Sequence, residues 1–365
     1  MLLAWYSAPE ARFELAPRAR FESQPNPHDA RVSCFRLGLS DRGARLSARG
    51  SERRGKILVI GSLNMDLVGC AARIPVPGET ITGHAFFDEP GGKGANQACA
   101  AARLGGRVTM LGRVGSDDFG RRMRANLESA GCNVSGVAAV PDCTSGIALI
   151  FVADTGQNSI LIVPGANGLL STTDIEAAGN HFKDTALVLL QLETPMAAVT
   201  AAARTARSRG ARVILDPAPA QELPSELFHL VDVLTPNETE AAILMGLSPG
   251  RLDPTHAMAI GRDLQTRGAQ AVIIKLGDQG CVLICDSKAD HLPALDVKPV
   301  DTTAAGDVFN AALAVGLSEG MDLPAACRFA NCAAAVSVTR RGAQIAAPTR
   351  DEVERLGGHA DHAES

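Results

Sequence analysis

From Lys56 onward, short runs of β-branched and aliphatic residues alternate with Ala-rich stretches whose apolar positions recur at helical spacing. The runs "KILVIG", "VTMLG", "LVLLQ", "RVILD", "DVLTP" and "AVIIKLG" read as strands, and "NQACAAARL", "MAAVTAAARTARS" and "ETEAAILMG" as helices between them. Such alternation is the pattern of a parallel sheet covered by helices. Residues 66 to 90 and 143 to 163 break it, with strand-like runs such as "GIALIFV" and "NSILIVP", turn residues and no intervening helix. They predict a small antiparallel excursion, a lid. A further helix follows "VDTTAAGDVF" (300 to 309), because Val308, Phe309, Ala312, Leu313 and Leu317 share one helical face.

Gly306 and Asp307 fall at the start of that helix. Unpaired first-turn N–H groups and the positive end of the helix dipole form a seat there for an anion such as a phosphoryl group. Asp307 has two readings: an N-terminal cap, a place where Asp is favoured, or an acid beside an anion seat, as phosphoryl transfer requires. Other polar residues collect where open α/β sheets bind ligands, beyond the carboxyl ends of strands. Asn64 and Asp66 follow the first strand, Glu193 follows "LVLLQ", Asp216 follows "RVIL", Asn237 follows "DVLTP" and Gly277 follows "AVIIK". "GGKGANQA" (91 to 98) lets backbone approach a ligand closely, but it lacks the glycine and the Ser or Thr of a Walker A loop. No GxGxxG is present, so a dinucleotide site has no support.

Composition narrows the class. The 365 residues are 46% hydrophobic, enough for a sizeable core. A net charge of −5 with acids and bases interspersed argues against a nucleic-acid partner. The nine cysteines form no CxxC pair and read as reduced core thiols, neither a disulfide framework nor a zinc site. Eight histidines are scattered without metal-ligand spacing. No apolar run reaches the roughly 20 residues of a membrane span, and a soluble, cytoplasmic protein is expected. The first 55 residues are rich in Arg, Ser and Pro without a sustained period, and hold the only Trp and Tyr. They read as an appendage: a disordered arm or a start called too early, with too many acids for a transit peptide.

In order along the chain, "GSLNMD" (61 to 66), "PGET" (77 to 80), "GGKGANQ", "TPNETEA" (235 to 241), "KLGDQG" (275 to 280) and "DTTAAGDVFN" (301 to 310) resemble the PfkB carbohydrate kinase family. The likeness runs from about residue 56 to about 355. "SGIALIFV" with its following "PGAN", "LLQLETP", "DPAPA", "VTRRGAQ" and "AAGD" in place of "GAGD" are similar to the branch that phosphorylates ribose. The resemblance implies a three-layer α/β/α sandwich with a mainly parallel sheet plus a β-sheet lid. It sets a kinase domain at 56 to 356 and a polar tail at 357 to 365.

It also implies roles. Asp307 would be the catalytic base, taking the proton of the sugar's 5-hydroxyl as that oxygen attacks the γ-phosphate of ATP, with Ala304, Ala305, Gly306 and Asp307 forming an anion hole. Sugar contacts would come from Asn64, Met65, Asp66, Gly92, Lys93, Gly94, Ala95, Asn96 and Glu193. Nucleotide contacts would come from Asn237, Lys275, Leu276, Gly277, Asp278, Gln279, Gly280, Gly306, Asp307 and Asn331; Lys275 stands where some members have Thr. Asn237 and Glu240 would assist Mg²⁺ through water, or form a helix capping box, and both readings can hold. A K⁺ activator would sit among Asp301, Thr303, Ser337, Arg340, Gly342 and Ala346, mostly on backbone carbonyls; Ile345 replaces a proline frequent in that loop.

The implied activity is ATP-dependent phosphorylation of D-ribose at O5 by a homodimer paired through its lids. The alternatives are the same chemistry on 2-deoxyribose or another sugar such as fructose, a non-catalytic sugar sensor of the same fold, or a lyase acting on nucleosides.

Overall fold

The structure is a computed structural model that describes residues 55–361, with side chains to residue 357. The expected N-terminal appendage, apart from Gly55, and the last four residues of the expected tail lie outside the described residues. Thirteen strands are described: β1 Lys56–Ile60, β2 Asn64–Ala71, β3 Ala85–Gly91, β4 Arg107–Gly115, β5 Asn133–Val140, β6 Gly146–Ala153, β7 Asn158–Val163, β8 Thr185–Leu190, β9 Arg212–Leu215, β10 Val233–Leu234, β11 Ala271–Lys275, β12 Cys281–Cys285 and β13 Lys288–Leu292.

Nine of them form the main sheet, in the order β13-β12-β11-β10-β9-β8-β1-β4-β5. From β5 to β11 every pairing is parallel, and β12 and β13 add antiparallel strands at one edge. The reversal follows from the link between β11 and β12, the single turn Gly277–Gln279, which is too short for a parallel crossover. Gly280 closes that turn at φ +85, where an added Cβ would meet the Leu292 carbonyl oxygen at 2.2 Å, so only glycine fits. Both sheet faces are buried, as parallel strands require. Ile57 and Val59 face one core with Leu187 and Leu189, while Leu58 and Ile60 face the other with Val188 and Leu190.

Helices Lys93–Arg103, Ala305–Ser318 and Leu323–Ser337 contribute to the first core, and Met196–Ser208, Glu238–Leu244 and Pro254–Thr266 to the second. The result is the expected three-layer sandwich. The expectation of a single apolar face on Ala305–Ser318 is too narrow, because every residue from Asp307 to Leu317 is buried. The helix lies between its neighbours Lys93–Arg103 and Leu323–Ser337 and is covered all round.

The second sheet has the order β3-β2-β6-β7 and supplies the expected lid. It is not purely antiparallel: its outer pairs are, but β2 and β6 run parallel, Asn64 opposite Gly146 through Ala71 opposite Ala153. Both strands leave the main sheet in the same direction, β2 just after β1 and β6 soon after β5, which sets this pairing. Phe86, Phe87, Phe151, Ile160, Leu161, Ile162 and Val163 remain exposed on the lid. Among the described residues no helix is long and apolar enough to cross a membrane.

Since the helix Ala305–Ser318 has no wet side, Leu313→Ala should leave a cavity and cost about 2–5 kcal/mol. A urea midpoint unchanged from the wild type would contradict this placement of the helix.

Candidate active site

β1 ends at Ile60 and the chain turns through Gly61–Leu63 into the lid strand β2. Against this turn presses the start of the helix Lys93–Arg103, so closely that a Cβ on Gly94 would stand 2.6 Å from the Ser62 amide nitrogen. The glycines of "GGKGANQA" therefore serve backbone approach, and they carry Asn96 and Gln97 onto the start of the helix Ala305–Ser318. There Asn96 Nδ2 donates to Asp307 Oδ2 at 3.0 Å and Gln97 Nε2 to Asp307 Oδ1 at 3.1 Å.

Asp307 is not the cap of its helix. The N-cap is Ala304, in the left-handed region at φ 58 and with no side-chain cap bond, while both Asp307 oxygens face the two amides. Burial pushes its carboxyl up to about 6; Asp216 adds to the rise, and Lys93 and the two amides oppose it. The Ala305 amide donates to the Thr302 carbonyl at 3.2 Å, and the Gly306 and Asp307 amides meet no acceptor among the described residues. Of the four expected anion-hole positions, these last two offer free first-turn donors.

Gln97 has a second task. Its Nε2 also donates to Asp216 Oδ2 at 3.0 Å, and its Oε1 accepts from Gln191 Nε2 at 2.6 Å. Asp216 Oδ1 in turn accepts from Lys275 Nζ at 3.0 Å. On the other side, Asn96 Oδ1 accepts from Gln344 Nε2 at 3.1 Å, and Gln344 Oε1 from Asn126 Nδ2 at 2.5 Å. Ser62, Gln97, Asn126, Asn167, Gln191 and Gln344 were not expected at the site. Neutral amides and hydroxyls carry no titration or spacing signal, so only the fold exposes them.

Toward the lid, Glu193 Oε2 accepts from Ser62 Oγ at 2.5 Å and from the Lys93 amide at 3.1 Å, with Asn64 Nδ2 3.5 Å away. Asn64 Oδ1 accepts from Asn167 Nδ2 at 2.8 Å, and Asn167 is itself clamped to the Leu63 backbone. Asp66 is 9% exposed, and burial together with Glu89, Glu193 and Asp307 pushes its carboxyl up to about 7. Burial alone would lower the Lys93 ammonium, but Asp307, Asp216, Glu193 and Glu240 hold it above its ordinary value. The Met65, Ala95 and Leu276 side chains are packed into the cores. Any contact they make at the site is through backbone.

Beside the start of helix Ala305–Ser318 lies a cavity of about 390 Å³. Lys275, Gly277, Asp278, Gly280, Gly306 and Asn331, all among the candidate nucleotide contacts, line it. Phe309, Ala334, Ala335, Val338 and residues of the segment 294–302 complete the wall, and these were missed because apolar walls look like core in a sequence. Gln279 turns away to the Leu252 carbonyl, and neither it nor Asn237 lines the cavity. Asn237 and Glu240 make the capping box, with reciprocal bonds of 2.7 and 2.8 Å. Asn331 Nδ2 donates to the Leu292 and Pro293 carbonyls.

Asp301 fixes the turn before the anion seat: Oδ1 accepts from the Thr303 amide and hydroxyl, and Oδ2 from the Gly342 amide at 3.0 Å. The Arg340 side chain is paired with Glu352, Ser337 Oγ donates to the Ala334 carbonyl, and Ala346 is buried. Among the described residues no cluster of three or more His, Cys, Asp or Glu could hold a metal ion. The arrangement can bind a polyol at the carboxylates below the lid, an anion at the helix start, and move a proton at Asp307 between them.

The family model described as pfkB family carbohydrate kinase matches residues 54–350. A ribokinase of Bacillus subtilis is 43% identical over 300 residues, covering 82% of this chain and 98% of that protein. A deoxyribokinase of Salmonella typhimurium is 40% identical over 297 residues, covering 81% of this chain and 96% of that protein. The solved Arabidopsis thaliana ribokinase, complexed with ribose and ATP, superposes with a TM-score of 0.76 at 33% identity, covering 83% of this chain and 98% of that one.

Asp66 carries a testable cost. Its folded carboxyl titrates near 7 against an ordinary 3.8, so the folded chain holds its proton longer than the unfolded one, and stability falls as pH rises between those values. Asp66→Asn cannot ionise; its melting temperature should match the wild type near pH 4 and exceed it increasingly up to about pH 7.5. Thermal melts across that range in which the wild type gains relative to the variant would show the opposite linkage.

Proposed function

Because the chain belongs to the pfkB family of carbohydrate kinases, we propose that it transfers the γ-phosphoryl group of ATP to O5 of D-ribose, with Asp307 as the base. The observation that carries this reading is the placement of Asp307. A buried carboxyl raised to about 6 sits on the first turn of a helix whose Gly306 amide is free and whose Gly306 lines the adjoining cavity. A base of that strength is largely ionised at neutral pH yet still accepts a proton.

The sugar lies under the lid. Asp66 and Glu193 accept from its hydroxyls, and Asn64 and Asn96, fixed by Asn167 and Gln344, keep the ring in one orientation. ATP occupies the cavity between the β11–β12 turn and Asn331, its terminal phosphate toward the helix start. As the hydroxyl proton passes to Asp307, charge on the transferring group meets the Gly306 and Asp307 amides. Closure of the lid excludes the water that would otherwise accept the phosphoryl group.

Mg²⁺ fits as a partner of the nucleotide phosphates: among the described residues no cluster of His, Cys, Asp or Glu would cage it, and Glu240, buried with its carboxyl raised by burial, would hold its waters. A monovalent cation fits the turn that Asp301 pins, where carbonyls of Thr303, Ser337, Arg340, Gly342 and Ala346 would hold it. Its charge would steady the backbone of the anion seat. The exposed lid residues Phe86, Phe151, Leu161 and Val163 share one face of the lid sheet and form an apolar surface of the kind that a second copy covers, so we read the active form as a homodimer.

A 2-deoxyribose kinase is the competing reading, favoured by the deoxyribokinase at 40% identity. ADP release measured over a panel of sugars separates the two: a site that pairs carboxylates with the 2-hydroxyl should turn over ribose far better than the deoxy sugar. Asp307→Asn should lower kcat by about 10²–10⁴-fold, the usual contribution of a general base. Absence of ribose- or deoxyribose-dependent ADP release in the wild type would sink the reading. Leu161→Asp should convert the dimer to a monomer in sedimentation, and an unchanged mass would remove the lid as the interface.

A further inference from the structure

The transfer chemistry uses the Asp307 carboxylate and the helix amides, but leaves unexplained a buried ion pair one side chain away. Lys275, at the end of β11, is 12% exposed, lines the nucleotide cavity and reaches Asp216 at 3.0 Å. Its Nζ lies 3.3 Å from the point where a Cβ on Gly306 would stand, so the ammonium is held directly over the anion seat. Asp216 is not merely a counter-ion. Its other oxygen accepts from Gln97 Nε2, the same amide nitrogen that donates to Asp307. One NH₂ group thus bridges two buried carboxylates, and the cation rests on the far one.

Building on the kinase reading, we propose that Lys275 is a catalytic residue that meets the transferring phosphoryl group, and that Asp216 and Gln97 are positioning residues that couple this contact to Asp307. With Lys275 seated on Asp216, the carboxylate is compensated. When the phosphoryl group draws the ammonium toward itself, Asp216 is left with more of its own charge. Two like charges bridged by one amide disfavour each other's ionisation, so the proton affinity of Asp307 rises as the hydroxyl proton needs an acceptor. In the step itself the O5–phosphorus bond forms while the bond to the β,γ-bridging oxygen breaks. The proton goes to Asp307 and the bridging electron pair leaves with ADP.

The other charges around Asp307 are Lys93 on the helix Lys93–Arg103 and Asp66 on β2, while Glu193 acts on Lys93 and Glu240 acts on Lys93, Lys275 and Asp216. Of these Glu240 and Lys93 also face the Lys275–Asp216 pair, and both variants below leave them in place, so the opposite signs of the two substitutions still read the pair. Lys275→Met bares Asp216 and should move the acid limb of the kcat–pH profile to higher pH. Asp216→Asn removes the opposing charge and should move it to lower pH. Lys275→Met should also lower kcat by about 100-fold or more, in the range of lost transition-state donors, with the sugar KM little changed.

The measurement is sugar-dependent ADP formation against pH for the wild type and both variants. Limbs displaced in opposite directions support the coupling, and a merely structural pair has no reason to produce them. Limbs that coincide with the wild type's, or that move the same way, overturn the inference, as does a Lys275→Met enzyme with wild-type kcat. If one variant does not accumulate, the other still reads the coupling through its own limb. A wild type with no sugar-dependent ADP formation fails the kinase reading itself, whereas an active wild type with unmoved limbs fails only the inference drawn from Lys275.

Discussion

Holding a carboxylate charge out of water without a cation in direct contact is the constraint around which this site is built. Asp307 is 5% exposed, and its oxygens are satisfied by two carboxamides that cannot neutralise it. A salt bridge in their place would have pulled the carboxyl well below its ordinary range and made it a poor proton acceptor. Neutral donors fix its direction while burial keeps it basic. The amides must themselves be fixed, and each is: Gln97 by Gln191, Asn96 by Gln344, Gln344 by Asn126. Rigidity at one acid thus propagates into the loop 340–346 and the helix Asp118–Ser129.

The scaffold makes this feasible because two helix starts face each other across the carboxyl edge of the parallel sheet. Lys93–Arg103 enters against the β1 turn through glycines, and Ala305–Ser318 enters after the left-handed Ala304. That residue accepts a conformation costly for alanine, and the hydrogen bonds of Asp301 to Thr303 and Gly342 hold the turn around it. A sheet edge without such turns would offer polar side chains but no free backbone donors.

Much of this was legible in the sequence, and the failures have physical causes. Strands β1, β4, β8, β9 and β11 are buried on both faces, so they appear as unbroken apolar runs. β5 lies at the sheet edge with only Val134 and Val137 inward, and its polar and small residues hide it. β12 and β13 were missed because a hairpin at the end of an alternating α/β pattern breaks the rule that revealed the rest. Titratable residues at strand ends were found from position alone. The amides that orient them were not, since Gln97 and Asp307 are 210 residues apart and nothing local in "GGKGANQA" says which side chains meet an acid.

The distribution of charge decides which ligand goes where. Asp66, Glu193, Asp216, Glu240 and Asp307 are set against only Lys93 and Lys275, so the interior is acid-rich. Phosphates would be repelled from most of it. Neutral hydroxyl donors would suit the space beneath the lid, where burial and the neighbouring Glu89, Glu193 and Asp307 raise the Asp66 carboxyl. Among the described residues, the free amides and the Lys275 ammonium mark an edge that favours an anion, and that edge opens into the cavity. On the proposed reading, two ligands of opposite character would thereby be sorted to the two sides of one carboxylate, and the reacting atoms would meet there.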